Sequence, residues 1–273
     1  MLNFDDNRKS QFTHAKPILD KYGFKATFYV VCNYVGNKKG YMNWDEVEAL
    51  CKEGHDIGYH SMNHVHLGNL SKKEIEYQVG QSKKCLQDHG IEVTSFGYPF
   101  NDGSSDKKIT KIVSKYYDLA RTANSPISYL QCGGLDNQST QTYCRTDKDG
   151  LHLDSANVLT ISGWSHDFSR MVNSYSNSGL FERFIQVLNS QDKYDTDGTI
   201  NAFPIVICYR IGEPSTLDYN TDMDLFDKEM KYLHDNGFRV LTMSDLYHDN
   251  NSNYICIKQI EGPMESGKIA SVD

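Results

Sequence analysis

Residues 54–64 read Gly54-His55-Asp56-Ile57-Gly58-Tyr59-His60-Ser61-Met62-Asn63-His64. A short apolar run, Asp56 to Tyr59, stands between glycines and ends in two histidines four residues apart. The run is expected to be a strand that delivers His60 to its carboxyl tip. A spacing of four places both imidazoles on one face of a helical turn, where they can share one metal ion. Two ligands do not complete a zinc site, so a third must come from another segment. The acidic pair Asp5-Asp6 is the best donor, provided the fold brings the two segments together.

The segments around this stretch suggest how they meet. Leu2 to Asp6 reads as the end of a strand, and Gln11 to Tyr22 as a helix closed by Gly23. Lys25 to Cys32 is a β-rich run. Asn43, with Glu46 three residues on, caps a helix that ends near Gly54, and Ser71 with Glu74 caps another that runs to about His89. Ser95–Tyr98, Tyr117–Arg121, Val158–Ser162, Phe203–Tyr209 and Arg239–Thr242 read as strands. Asp106–Lys115, Leu180–Leu188 and Asp224–Asn236 read as helices. Residues 124–154 form a Gly/Ser/Asn/Thr-rich loop, and 249–273 read as a carboxyl-terminal tail. Strand and helix thus alternate about seven times with no linker and no internal repeat, which predicts a parallel α/β sheet, open or closed into a barrel. In either form the strand tips converge on one mouth. Asp5, Asp6, His60, His64, Tyr98, Pro99, Trp164, His166, Tyr209 and Arg210 all fall at such tips.

Composition narrows the partners. The chain has 273 residues, 28 Lys+Arg and 36 Asp+Glu, for a formal net charge of −8. No basic run balances that charge, so nucleic acid is excluded as the main partner. Its 18 Tyr and 2 Trp suit a sugar ligand, on whose faces flat rings can stack. No run of apolar residues is long enough to span a membrane. The chain opens Met1-Leu2-Asn3-Phe4-Asp5, already in a strand, with no signal-peptide pattern; upstream residues in a precursor would fit so early a motif. None of the seven cysteines forms a CxxC pair. Cys32 and Cys208 lie in apolar runs and are expected to be core thiols. Cys132 and Cys144 flank the loop, and a disulfide between them would require an oxidising compartment.

One carboxylate and two imidazoles leave a metal ion with an open position, where a bound water is acidified to a pKa of roughly 7. With adjacent aspartates, one can hold the metal while the other accepts the water's proton. That is equipment for hydrolysing an amide or ester. Zn²⁺ suits the ligand set, as do Co²⁺ and Ni²⁺.

These residues also carry a resemblance. Asn3-Phe4-Asp5-Asp6 resembles the TFDD signature of NodB-type polysaccharide deacetylases, the family-four carbohydrate esterases, and residues 54–64 are similar to their GHEIGxHSxxH signature. Phe96-Gly97-Tyr98-Pro99-Phe100 resembles a form of their third motif, and Phe226 to Leu246 is similar to their last helix and strand. The resemblance covers residues 1–248 and implies a distorted (β/α) barrel of about seven parallel strands that removes N-acetyl groups from amino-sugar polymers. It implies Asp5 as catalytic base, Asp6, His60 and His64 as metal ligands, and Tyr98 to Phe100 as cleft lining with a backbone N–H for the oxyanion. Trp164 is a candidate for the sugar groove. Family members act outside the cell or at its surface, so that localisation is implied as well.

The chain departs from the family at three positions. Asn7 replaces a glycine, and Asn tolerates the left-handed backbone such a site demands. Gly97 stands where an arginine normally orients the base, leaving Arg121 or Arg210 to partner Asp5. Tyr209 stands where a histidine normally protonates the leaving amine, and a phenol with a pKa near 10 is the weaker acid. His166 is an alternative acid. His55 and His66 are expected beside the ligands or on the surface, and His14, His89, His152, His234 and His248 need no function. Two further readings stay open: a carbohydrate-binding pseudoenzyme on the same barrel, and a hydrolase of a non-sugar amide such as a cyclic imide.

Overall fold

Short β-rich runs that are apolar on both faces demand cover on both sides, and here helices and the barrel interior provide it. The computed structural model describes residues 1–123, 127–129, 146–147, 150–151, 158–192, 202–212, 219–249 and 254–258. Its main sheet has eight strands: β1 (Leu2–Phe4), β2 (Thr27–Val30), β3 (Asp56–Tyr59), β4 (Ser95–Gly97), β5 (Leu119–Thr122), β6 (Ile161–Ser162), β7 (Trp164–Ser165) and β8 (Val206–Cys208). Their spatial order is β7-β8-β1-β2-β3-β4-β5-β6, and every pairing is parallel.

The two edge strands are consecutive in the chain, separated only by Gly163. Ile161 and Ser162 pair with β5, while Trp164 and Ser165 pair with β8. The Gly163 N–H donates to Thr122 O and the Trp164 N–H to Ile205 O, so one segment serves both edges and nearly closes the barrel. Counted as one interrupted strand, it reconciles eight strands with the seven expected. A Cβ at Gly163 would lie 2.7 Å from Ile207 Cδ1, so the crossing needs glycine.

Helices α1 (Lys16–Lys21), α2 (Trp44–Lys52), α3 (Lys72–Glu76), α4 (Ser82–Gln87), α5 (Lys107–Val113), α6 (His166–Asn173), α7 (Asn177–Asn189) and α8 (Met223–Asp235) connect or cover the strands. Both expected capping boxes form, Asn43 with Glu46 and Ser71 with Glu74. Phe4 of β1 stacks on Phe28 of β2 at 4.8 Å and meets Phe226 of α8 edge-on at 5.9 Å. Each fully buried ring of this kind contributes about 1.5–3 kcal/mol.

Several local expectations need correction. The helix from Gln11 starts as a wide π-turn over Gln11–Ala15; Pro17, just inside α1, lacks the N–H that a regular ladder would use. A second π-turn, Tyr77–Gln81, divides α3 from α4. Arg239–Thr242 is not a strand; the chain runs extended into a 3₁₀ turn at Met243–Asp245. Tyr254–Ile257, within the expected tail, instead pairs antiparallel with Leu246–Asp249. Ala202–Pro204 leaves the barrel to pair with Ile127–Tyr129. Cys32 is not a free core thiol but is joined to Cys85 in a disulfide. Cys208 is buried and free. Cys132 and Cys144 lie outside the described residues.

Candidate metal and catalytic site

The tips of β1, β3, β4, β5 and β8 open into one cavity of about 540 Å³, lined by Asp5, Asp6, His60, His64, Tyr98, Phe100, Arg121 and Tyr209 among others. Asp5 and Asp6 follow β1 directly, and His60 follows β3. His64 does not reach its place by helical spacing, as the sequence suggested. Residues 61–66 are a loop in which Ser61 (φ 65°) and His64 (φ 52°) adopt left-handed backbone. The His64 N–H donates to Ser61 Oγ at 2.9 Å, and the two imidazoles come to 4.9 Å between centroids.

Three side chains converge here with metal-ligand chemistry. Asp6 Oδ1 lies 3.1 Å from His64 Nε2 and 3.7 Å from His60 Nε2, and the three ligand atoms all fall within 4.8 Å of one another. Asp6 Oδ1 is buried and accepts no hydrogen bond, an orphan acceptor that a cation would satisfy. His60 Nδ1 lies 2.8 Å from Gly97 O, which fixes Nδ1 as the donor and turns the Nε2 lone pair toward the cavity. Burial pushes His64 down to about 4, so its ring is neutral at physiological pH. Asp6 itself holds a left-handed φ of 75°, one of several strained residues clustered at this mouth.

Asp5 points into the same cavity, with Oδ2 4.0 Å from His60 Nε2. Its other oxygen accepts from Arg121 Nη2 at 2.5 Å, which answers the question left by Gly97. Arg121 rises from β5, is 1% exposed, and lays its guanidinium over Tyr29 at 4.6 Å. A Cβ at Gly97 would stand 3.0 Å from Arg121 Nη2 and 3.1 Å from His60 Nδ1. The glycine therefore makes room for an arginine from the next strand. The Arg210 side chain also lines the cavity but forms no ion pair with Asp5 among those between described residues.

Tyr209 lies across the cavity. Its N–H donates to Asp167 Oδ2 at 2.8 Å, its carbonyl accepts from Gln11 Nε2 at 2.7 Å, and its ring meets Tyr219 edge-on. Burial and then the nearby Asp5 push its phenol well above the usual tyrosine range. His166 does not face the cavity. It is fully buried, 2.8 Å from Glu229 Oε1 and 3.1 Å from Asp167 Oδ1. Among the described residues, His60 and His64 are the only imidazoles lining the space.

Phe100 forms the outer wall. It is 54% exposed, has a φ of 57°, contacts His64 at 4.4 Å and stacks on His66 at 4.1 Å. Pro99 and Trp164 are buried and do not line the cavity; the Trp164 indole N–H donates to Ser169 Oγ at 2.6 Å. Sequence reading missed Arg8, Tyr34, Lys38, Tyr41, Phe168 and Tyr219 as lining residues. They lie in loops or on a helix start whose placement has no periodic signal. Gln11 was missed too: its amide bridges Asp5 O and Tyr209 O, tying the two sides of the site.

The family model described as "Polysaccharide deacetylase" matches residues 1–117. A peptidoglycan-N-acetylglucosamine deacetylase of Bacillus cereus is 31% identical over 87 residues, 32% of this chain and 38% of its own length. A chitin deacetylase of Arthroderma benhamiae is 26% identical over 160 residues, 57% of this chain and 38% of its own. The matches span 4% to 39% of the curated relatives' lengths. Among solved structures, a CE4 family pseudoenzyme from Bacillus anthracis aligns with a TM-score of 0.55 at 15% identity, covering 89% of this chain and 63% of that one. At that identity the likeness is one of fold.

Proposed function

We propose, from the match of residues 1–117 to the polysaccharide deacetylase family model, that the chain is a metal-dependent hydrolase removing N-acetyl groups from amino-sugar polymers or oligosaccharides. The observation that carries the reading is the orphan Asp6 Oδ1 aimed between two histidine Nε2 atoms, beside a second aspartate held by a buried arginine. Asp6, His60 and His64 would hold the metal. A divalent ion there supplies a Lewis acid for the acetyl carbonyl and an acidified water.

The chain's own groups account for the rest. Arg121 fixes Oδ1 of Asp5, leaving Oδ2 to accept the proton of the attacking water. Gly97 O fixes the His60 tautomer. The turn around Phe100 is closed by the Asn101 and Asp102 N–H groups, so the Phe100 N–H is a donor candidate for the oxyanion. Phe100 and the tyrosines of the cavity offer flat faces to pyranose rings. Tyr209 would donate the proton to the leaving amine, and a phenol raised above its usual range is a weak acid for that role. The Cys32–Cys85 disulfide supports residence in an oxidising compartment, as an extracellular substrate would require.

The test is acetate release from N-acetylglucosamine oligomers by metal-loaded protein, with His64→Ala as control. The expected result is measurable turnover, lost with the ligand. Tight sugar binding that survives chelation, with no acetate released, would favour the second reading, a carbohydrate-binding pseudoenzyme. The raised Tyr209 phenol and the lack of any further imidazole lining the cavity among the described residues are what speak for it.

A further inference from the structure

The deacetylase reading uses Asp5, Asp6, His60, His64 and Arg121. It leaves unexplained the positive charge elsewhere on the cavity wall. Arg8 and Lys38 both line the cavity and lean on the same ring: Arg8 Cζ is 4.2 Å from the Tyr41 centroid and Lys38 Nζ is 4.7 Å from it. Lys38 Nζ also stands 3.7 Å from the Tyr34 centroid. Tyr34 and Tyr41 are themselves packed edge-on at 4.8 Å. Two cations are thus held by two aromatic rings.

Neither cation is spent on a carboxylate in the way surface lysines and arginines usually are. No carboxylate among the described residues pairs with Lys38. For Arg8 the partner is Asp6, a long contact at 3.4 Å through Oδ2 alone, while Asp6 Oδ1 faces the histidines. Arg8 Nε is buried and donates to nothing among the described residues. A buried N–H without an acceptor is costly unless a ligand completes it. Arg210 adds another cation to the lining.

This arrangement runs against the character of the chain, whose formal net charge is −8. A neutral sugar needs only the aromatic faces. Cations gathered near a divalent metal repel it and one another, and an arriving anion turns that repulsion into selectivity. We infer that Arg8 and Lys38, seated on Tyr41 and Tyr34, form a subsite for an anionic group, a carboxylate or a phosphate, carried beside the N-acetylated sugar. The substrate is then an acidic polysaccharide rather than a neutral one. This deepens the deacetylase reading and rests on it for the N-acetyl group, but the subsite can be tested by binding alone.

The test compares three sets of oligosaccharides of equal length on the metal-loaded full chain. One is neutral N-acetylglucosamine oligomers, one alternates N-acetylhexosamine with a uronic acid, and one joins N-acetylhexosamines by phosphodiesters. Calorimetric Kd values at two salt concentrations are the readout. The expected result is about tenfold tighter binding of an acidic set than of the neutral one, shrinking as salt rises. Which acidic set wins assigns carboxylate or phosphate. Lys38→Gln should pull the acidic-to-neutral ratio several-fold toward one, and Lys38→Glu should invert it. Arg8→Gln, with metal content measured in parallel, should act in the same direction. Equal or tighter binding of the neutral set, no binding of either acidic set, or a ratio unmoved by Lys38→Glu would each overturn the proposal. Acetate release is scored separately. Acidic preference without acetate from any oligomer would sink the deacetylase reading and leave the subsite standing.

Discussion

At the scale of single residues the site depends on a trade between neighbouring strands. Gly97 leaves a void on β4, and Arg121 from β5 fills it to hold Asp5. Gly97→Ala would push a methyl group against both Arg121 and His60; we expect kcat/KM to fall about tenfold or more, with weaker metal retention in dialysis. Arg121→Lys keeps the charge but loses the planar fork, and should lower kcat more than it raises KM. At Tyr209 the expectation runs the other way. Tyr209→His places a group of ordinary pKa near 6.5 where the phenol is held high, and kcat should rise by about 10- to 100-fold, with a new alkaline limb in the pH–rate profile. An unchanged kcat would show that proton donation to the amine is not limiting. The candidate ligands were singled out in the sequence by the longer motif around His60 and His64 together with the acidic pair, since neither Asp-Asp nor two spaced histidines is decisive alone, and the structure brings the three side chains together. The partner of Asp5 was legible only as a pair of options, since an arginine 116 residues away reveals its target by topology and not by spacing.

At the scale of elements, the loop that presents His64 is held from behind. The 3₁₀ turn Cys32–Tyr34 after β2 donates the Cys32 N–H to Ser61 O and the Asn33 N–H to Met62 O, and the Asn33 amide donates to Asn63 Oδ1 at 2.5 Å. Cys32 is in turn joined to Cys85 on α4, 53 residues on. Closing a loop of that length removes unfolded-state entropy worth about 2–4 kcal/mol. Cys85→Ser, or reduction of the native protein, should lower the melting temperature and weaken metal affinity several-fold in a metal titration. Alternation of strand and helix, the capping residues and the closing glycines were readable because each is a local signal. The pairing of Cys32 was not, because an apolar strand end reads the same for a packed thiol and for half a disulfide. The π-turns and the left-handed loop that presents His64 escaped as well, because neither a widened helical turn nor a positive φ at Ser61 and His64 leaves a periodic signal in the sequence.

At the scale of the whole molecule, a buried charge cluster locks the covering helices to the barrel. His166, at the start of α6, contacts Asp167 and Glu229 of α8, while Asp167 holds the Tyr209 N–H and Thr221 Oγ1. Burial opposes the charge on His166, but Glu229 and Asp167 outweigh it and raise the imidazole to about 10. A raised folded-state pKa means the contribution to stability is complete below about 6.5 and is lost as pH climbs through 10. Melting temperature should therefore fall between pH 7 and 10, and Glu229→Gln should flatten that decline while lowering stability near neutrality. The segment at Gly163 has a different kind of consequence, one for the order of folding. β1 pairs with β8 across about 200 residues of chain, so contact order is high and the ring of strands can be completed only late. Because one short segment serves both edges, loss of its bonds opens the barrel along a single seam. Native-state hydrogen exchange should find the amides of Gly163 and Trp164 exchanging together, at lower free energy than those of β2 and β3 on the far side of the ring.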